Sequence, residues 1–226
     1  MPIAPIRPAA TVVVSRERSS EQTFEVLMVR RNDNVAFMAG AYVFPGGRVD
    51  TSDVERAGGD AVRSFRFAAV RELEEEACVR VEPESLIPIA HWITPEIETR
   101  RYDTRFFLVR MPEGQEAQHD AGETTGYAWL TPAEAIDSCM RDAIMLPPPT
   151  WTTLKRMLRH RTIDDLFAWA RSVPIIPAVQ PQFLKDEQRT LLTLPGDPTY
   201  PTIDGWEVPE DTRFMLQDGR WRPVRA

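Results

Sequence analysis

Two apolar, β-branched runs open the chain: Ala9-Ala10-Thr11-Val12-Val13-Val14-Ser15 and Phe24-Glu25-Val26-Leu27-Met28-Val29-Arg30-Arg31. Each is bounded by charged residues, which predicts two strands with a turn over residues 19–22. Ala41-Tyr42-Val43-Phe44 predicts a short third strand, ended by Pro45-Gly46-Gly47. The period then changes. Residues 61–78 lack Pro and Gly and are rich in Ala, Arg, Leu and Glu, so they predict one long helix. Val62, Phe65, Ala69, Leu73 and Ala77 fall in the stripe of that helix that would pack on a sheet. Residues 79–81, 86–92 and 102–109 read as extended, and residues 126–130 as a last short strand. Thr131-Pro132 then opens a helix, with Thr as N-cap and Pro in the first turn. Strands around one long helix and ending in another predict an α/β fold with a mixed sheet between helical layers.

Beyond residue 143 the pattern differs. Pro147-Pro148-Pro149-Thr150 precedes a helical stretch, residues 151–160, with Leu154, Met157 and Leu158 on one face. Residues 162–171 repeat the pattern, with Thr162 as N-cap. From residue 173 the chain is proline-rich and reads as irregular, with a tight turn at Leu194-Pro195-Gly196-Asp197-Pro198 and a hairpin around Asp218-Gly219. This tail is expected to serve packing or dimer contact rather than chemistry.

The acids of the long helix are unevenly placed. Glu72, Glu75 and Glu76 are related by i+3 and i+4 and converge on one arc, whereas Glu74 points elsewhere. Ala68 lies on the same arc one turn earlier, where its small side chain is expected to leave space. An acidic cluster in the last turns opposes the helix macrodipole, and Glu72 and Glu76 repel as a like-charged pair. A bound cation resolves both conflicts, and three oxygen ligands suit Mg²⁺ or Mn²⁺. A net charge of −7 disfavours a general nucleic-acid binder. No apolar run approaches the roughly 18 residues of a membrane span, and nothing at Met1-Pro2-Ile3 suggests a signal peptide. Two distant cysteines, Cys78 and Cys139, point to reduced thiols, buried and small in role, in a cytoplasm-like compartment.

With the glycine loop Phe44-Pro45-Gly46-Gly47, this helix resembles the Nudix box, in which a glycine and a glutamate precede Arg-Glu-apolar-any-Glu-Glu-any-Gly-apolar. Gly47 matches the first glycine, and Arg71-Glu72-Leu73-Glu74-Glu75-Glu76 matches the core. Asp53 stands where the first glutamate is expected, seventeen residues separate it from Arg71, and Cys78 replaces the last glycine. The inserted residues, 51–60, read as a surface excursion. Leu27 to Gly47 is similar to the upstream motif of coenzyme A diphosphatases, with Arg31 and Gly40 in register and the motif's second arginine falling on Ala36. Phe37-Met38, Trp92-Ile93-Thr94-Pro95 and the stretch from Arg100 to Phe107 resemble the peroxisomal acyl-coenzyme A diphosphatase branch and its bacterial relatives.

The resemblance implies an α/β/α sandwich with a central mixed sheet over residues 1–145, and a helical, proline-rich extension, 146–226, packed on the same domain. It implies Mg²⁺-dependent cleavage of a diphosphate linkage in a nucleoside diphosphate derivative, with Mn²⁺ as substitute and coenzyme A or acyl-coenzyme A as first candidate substrate. Glu72, Glu75, Glu76 and the Gly47 carbonyl would hold the metal, and Arg71 would orient an acid, most plausibly Glu75. Glu72 and Glu123 are alternative general bases. Arg31, Gly46, Arg101 and Arg105 are candidate substrate ligands, with Arg100 beside them; Arg101, Asp103 and Arg105 share a strand face. A homodimer is also expected, without nucleic-acid or membrane partners. An ADP-ribose or NADH pyrophosphatase, or a catalytically weak nucleotide-binding module, are the competing readings.

Overall fold

A 13-residue strand, β1 (Ile6–Arg18), runs through the middle of the main sheet. Its alternation is legible in the packing: Ala10, Val12 and Val14 enter one apolar core and Val13 the other. The computed structural model describes residues 3–18, 23–32, 40–118, 124–173, 176–185 and 189–225. The expected turn at residues 19–22 lies outside them, as do Ala36, Phe37, Met38 and Glu123.

In chain order β1 is followed by β2 (Thr23–Arg31), β3 (Tyr42–Val43), β4 (Gly46–Arg48), α1 (Thr51–Arg56), α2 (Ala61–Ala77), β5 (Ile87–Ile93), β6 (Arg101–Arg110), β7 (Thr124–Leu130), α3 (Pro132–Met140), α4 (Pro148–Met157) and α5 (Ile163–Ser172). Then come β8 (Ala178–Val179), β9 (Gln182–Lys185), β10 (Thr190–Thr193), β11 (Arg213–Gln217) and β12 (Arg220–Pro223). The main sheet has the order β3-β2-β1-β6-β5-β8, with β4 also paired to β1 and β7 to β2. It is mixed: β1 is parallel to β6 and antiparallel to β2 and β4. Helix α2 covers one face through Ala69, Leu73 and Ala77, while α3, α4 and α5 bury Ile136, Leu154 and Leu166 against the other. The layers are those of the expected α/β/α sandwich.

The caps explain where the helices begin. Asp60 accepts the Val62 and Arg63 N–H groups at 2.8 and 2.9 Å, starting α2. Thr131 with Glu134, and Thr162 with Asp165, form capping boxes on α3 and α5. Val62 departs from expectation: in the first turn of α2 it is 72 % exposed, and Ser64 and Ala68 are buried instead. Ala68 is packed in the core and opens no space above the acids. Residues 51–60 are not merely a surface excursion, because they fold into α1 and carry the fully buried Asp53.

Cys78 ends α2 in the left-handed conformation, φ 56° and ψ 26°, and its side chain is exposed rather than buried. A β-carbon is disfavoured there, so Cys78→Gly should stabilise the fold by about 0.5–1 kcal/mol, after the extra freedom glycine gives the unfolded chain. A rise in denaturant midpoint at constant m-value is the expected reading.

The tail is less irregular than its prolines suggest. β9 to β12 form a separate antiparallel sheet in the order β12-β11-β10-β9, and the hairpin at Asp218-Gly219 joins β11 to β12 as expected. Leu192, Leu194, Trp206 and Phe214 enter the same core as α4 and α5. The turn at Pro195-Gly196 is tied down by the buried Asp197, which accepts from Arg213 at 2.8 and 2.9 Å and from Thr199. Burial alone would raise the Asp197 pKa, but the Arg213 and Thr199 hydrogen bonds outweigh it and hold the carboxyl below its ordinary 3.8. A depressed carboxyl pKa gives stability that is full above the ordinary value and disappears as pH falls through the folded one. The stability gap between wild type and Asp197→Asn should therefore be constant from roughly pH 5 to 7 and narrow in acid, as urea titrations at each pH would record.

Candidate active site

The pairing of β4 with β1 sets the glycine loop against α2. Thr11 pairs Gly46 and Ala10 pairs Gly47. A side chain at Gly46 would bring its Cβ within 2.3 Å of the Ala10 carbonyl oxygen, and one at Gly47 within 2.3 Å of a Glu72 carboxylate oxygen. A side chain at Gly46 would meet strand backbone that cannot give way, whereas one at Gly47 would displace the Glu72 carboxylate from its place. One turn on, Glu76 is 8 % exposed and accepts the Gly46 N–H at 2.8 Å.

Arg71 ties the acids together. It donates to Asp53 Oδ2 at 2.9 Å, Glu72 Oε1 at 2.9 Å, Glu75 Oε2 at 2.8 Å and the Arg48 carbonyl at 2.8 Å. Asp53 also accepts the Asp50 N–H at 2.9 Å, completing a capping box on α1. Burial works against the Arg71 charge, but hydrogen bonds to Asp53 and the charge of Glu72 outweigh it, so its pKa is raised above its ordinary value. The expected Arg71–Glu75 pair is present, but Asp53, brought in by the inserted segment, is the fully buried partner.

Apart from the buried Asp53, these groups line a cavity of about 1190 Å³ that also contains Arg7, Arg31, Arg48, Arg100 and Arg101. Of the expected substrate ligands, Arg31, Gly46 and Arg101 reach it and Arg105 does not. Strand alternation is the reason: Tyr102, Thr104 and Phe106 of β6 line the cavity, whereas Arg105 lies over the Phe65 ring on the α2 side, 5.4 Å from its centroid. Its neighbour Asp103 is occupied by His91 at 2.6 Å, and that hydrogen bond holds its carboxyl below the ordinary range. Arg101 is buried, with its guanidinium directed to the carbonyls of Thr94 and Ala4 at 3.2 and 3.4 Å. The candidate base Glu123 lies outside the described residues.

The donor chemistry at Glu72, Glu75, Glu76 and the Gly47 carbonyl is all oxygen, which fits a hard divalent cation. As placed, however, no three acidic, histidine or cysteine side chains among the described residues are grouped to hold an ion. Arg71 engages Glu72 and Glu75, and Gly46 engages Glu76, so the carboxylates are satisfied by protein donors.

A family model described as the NUDT19 Nudix domain matches residues 77–157, the stretch from the end of α2 through α4. The putative nudix hydrolase 7 of Caenorhabditis elegans is 27 % identical over 249 residues, spanning 94 % of this chain and 80 % of that protein. The human acyl-coenzyme A diphosphatase NUDT19 is 34 % identical over 113 residues, 48 % of this chain and 30 % of its own. Among solved structures, a NUDIX hydrolase from Alicyclobacillus acidocaldarius superposes with a TM-score of 0.67 at 23 % identity, covering 78 % of this chain and all of that one.

The chain resembles Nudix hydrolases in its box residues, in the stretch matched by that family model and in its fold. Its relatives support a diphosphohydrolase acting on a small nucleotide substrate, and Nudix hydrolases generally use divalent metals. Among the described residues no helix is long and apolar enough to cross a membrane. The Nudix likeness also puts the departures in context: Asp53 pairs with the box arginine despite the insertion, and Cys78 takes the backbone conformation for which glycine is the easy residue.

Proposed function

We propose that this chain hydrolyses the diphosphate linkage of coenzyme A or an acyl derivative, using Mg²⁺ with Mn²⁺ as substitute. The observation that carries the reading is one cavity holding the box acids, the glycine loop and five further arginines. In this reading Glu72, Glu75, Glu76 and the Gly47 carbonyl hold the ion. When bound, such an ion neutralises the anionic diphosphate and makes water acidic enough to attack at neutral pH. The chain's own residues do the rest. Gly46 fixes Glu76, Arg71 fixes Glu72 and Glu75, and Glu72 or Glu123 takes the proton of the attacking water. Arg7, Arg31, Arg48 and Arg100 hold phosphate oxygens, for which the guanidinium fork suits bidentate contact.

The same reading treats residues 1–145 as the catalytic domain and 146–226 as an extension docked on it, supported by the core they share. It places a homodimer in a cytoplasm-like compartment, consistent with two free thiols. The test is product release from coenzyme A, acyl-coenzyme A, ADP-ribose, NADH and nucleoside triphosphates with Mg²⁺, Mn²⁺ or EDTA. EDTA-sensitive conversion of coenzyme A to adenosine 3′,5′-bisphosphate and a phosphopantetheine is expected. Preference for ADP-ribose or NADH would move the substrate, and a folded chain that turns over none of them would defeat the enzymatic reading.

A further inference from the structure

The cavity is larger than the roughly 300–1,000 Å³ of ordinary small-molecule sites, and its walls are of two kinds. The box end is polar and charged. Elsewhere its lining includes Phe183 of β9, Leu192 of β10 and Trp221 of β12, the prolines at 147–149 and Phe106 of β6, with Thr104 and Thr150 as neighbouring hydroxyls. Phe183 and Trp221 meet edge to face, centroids 5.5 Å apart, and both pack against the core that holds Leu192 and Phe106. This fixes the wall in place before any ligand arrives.

Its chemistry selects its occupant. Apart from the Trp221 indole, Phe183, Leu192, Trp221 and the three prolines offer no hydrogen-bonding side chain, and proline lacks even the backbone N–H. A purine stacked here would leave most of its ring-edge donors and acceptors unmatched and desolvated, which is costly. A hydrocarbon chain has no such requirement and gains from every methylene removed from water.

We infer that Phe183, Leu192 and Trp221 of the C-terminal sheet form the subsite for the acyl chain of the substrate and set the preference for chain length. The inference rests on the coenzyme A reading above and assigns to the tail a role in specificity rather than in packing alone.

The test is kcat/KM across a saturated acyl-coenzyme A series from two to ten carbons. For the wild type a rise of about three- to fourfold per methylene is expected over the first additions, the value of one buried CH₂, levelling once the wall is covered. In Phe183→Ala and Trp221→Ala the ratio of ten-carbon to two-carbon kcat/KM should fall at least tenfold. Trp221→Leu, which keeps an apolar contact with the core, serves if the alanine variant does not fold, with a fall of about threefold. A wild-type ratio near one in an enzyme that turns over coenzyme A overturns the subsite alone, as does a ratio unchanged in every folded variant. No EDTA-sensitive turnover of any thioester in an enzyme that turns over free coenzyme A overturns the subsite alone, and none of coenzyme A or its thioesters overturns the subsite and the coenzyme A reading together.

Discussion

Replacing Glu75 or Glu76 by Gln should lower kcat by about 10²- to 10³-fold while the protein remains folded, the loss expected when several kcal/mol of metal-supplied charge stabilisation disappear. The isostere separates charge from structure. Glu76 accepts the Gly46 N–H, and a glutamine oxygen can accept it equally. Glu75 is more than half exposed and contributes one of several contacts to Arg71, so its neutralisation should cost at most about 1 kcal/mol of stability. Turnover should fall far out of proportion to stability. Isothermal titration with Mn²⁺ should show weakened ion binding in both variants, and unchanged turnover with unchanged Mn²⁺ affinity would refute the assignment of these acids as metal ligands.

Asp53→Ala should be the most destabilising single change around the site, by about 3 kcal/mol. Asp53 is fully buried, pairs with Arg71 at 2.9 Å and completes the cap of α1. Its removal leaves a largely buried guanidinium short of a charge and breaks the contact holding the inserted helix to α2. The loss should sit at the low end of the range for broken buried pairs, because Arg71 keeps Glu72 and Glu75. A fall in Tm of roughly 6–12 °C is expected for a chain of this size. Activity should fall as well, since an Arg71 without Asp53 no longer holds Glu72 in a fixed place. A Tm within about 2 °C of wild type would show that the pair contributes little.

The uneven legibility of this chain has physical causes. Helix α2 and the caps at Thr131 and Thr162 were visible because helical period and capping act over three or four residues; the expected convergence of Glu72, Glu75 and Glu76 is not seen among the described residues, where protein donors engage each acid. The Gly46-Gly47 block was visible as a turn, but its function as a slot for Glu72 depends on β4 pairing with β1, which no local pattern specifies. Asp53 carried a local sign, Asp50 three residues before it in capping-box spacing, but its ion pair with Arg71 bridges an insertion and needed the fold. Alternation put Arg101, Asp103 and Arg105 on one side of a strand, but Arg101 lines the cavity whereas Arg105 lies over Phe65 on the α2 side. Strands β9 and β10 were hidden because each has four residues and their neighbourhood is rich in proline. Short strands of that kind are defined by their partners more than by propensity.

The mixed lining of the cavity has a dynamic consequence. Its walls come from residues as distant in sequence as Pro5 and Trp221, and the sheet that supplies Trp221 is hydrogen-bonded separately from the main one. Cooperative units of a native protein open with different free energies. Transient release of β9–β12 would take away the apolar wall while leaving α2 seated on its own sheet. The apolar wall belongs to the core shared with α4 and α5, and the acidic helix to the core on the opposite face of the main sheet.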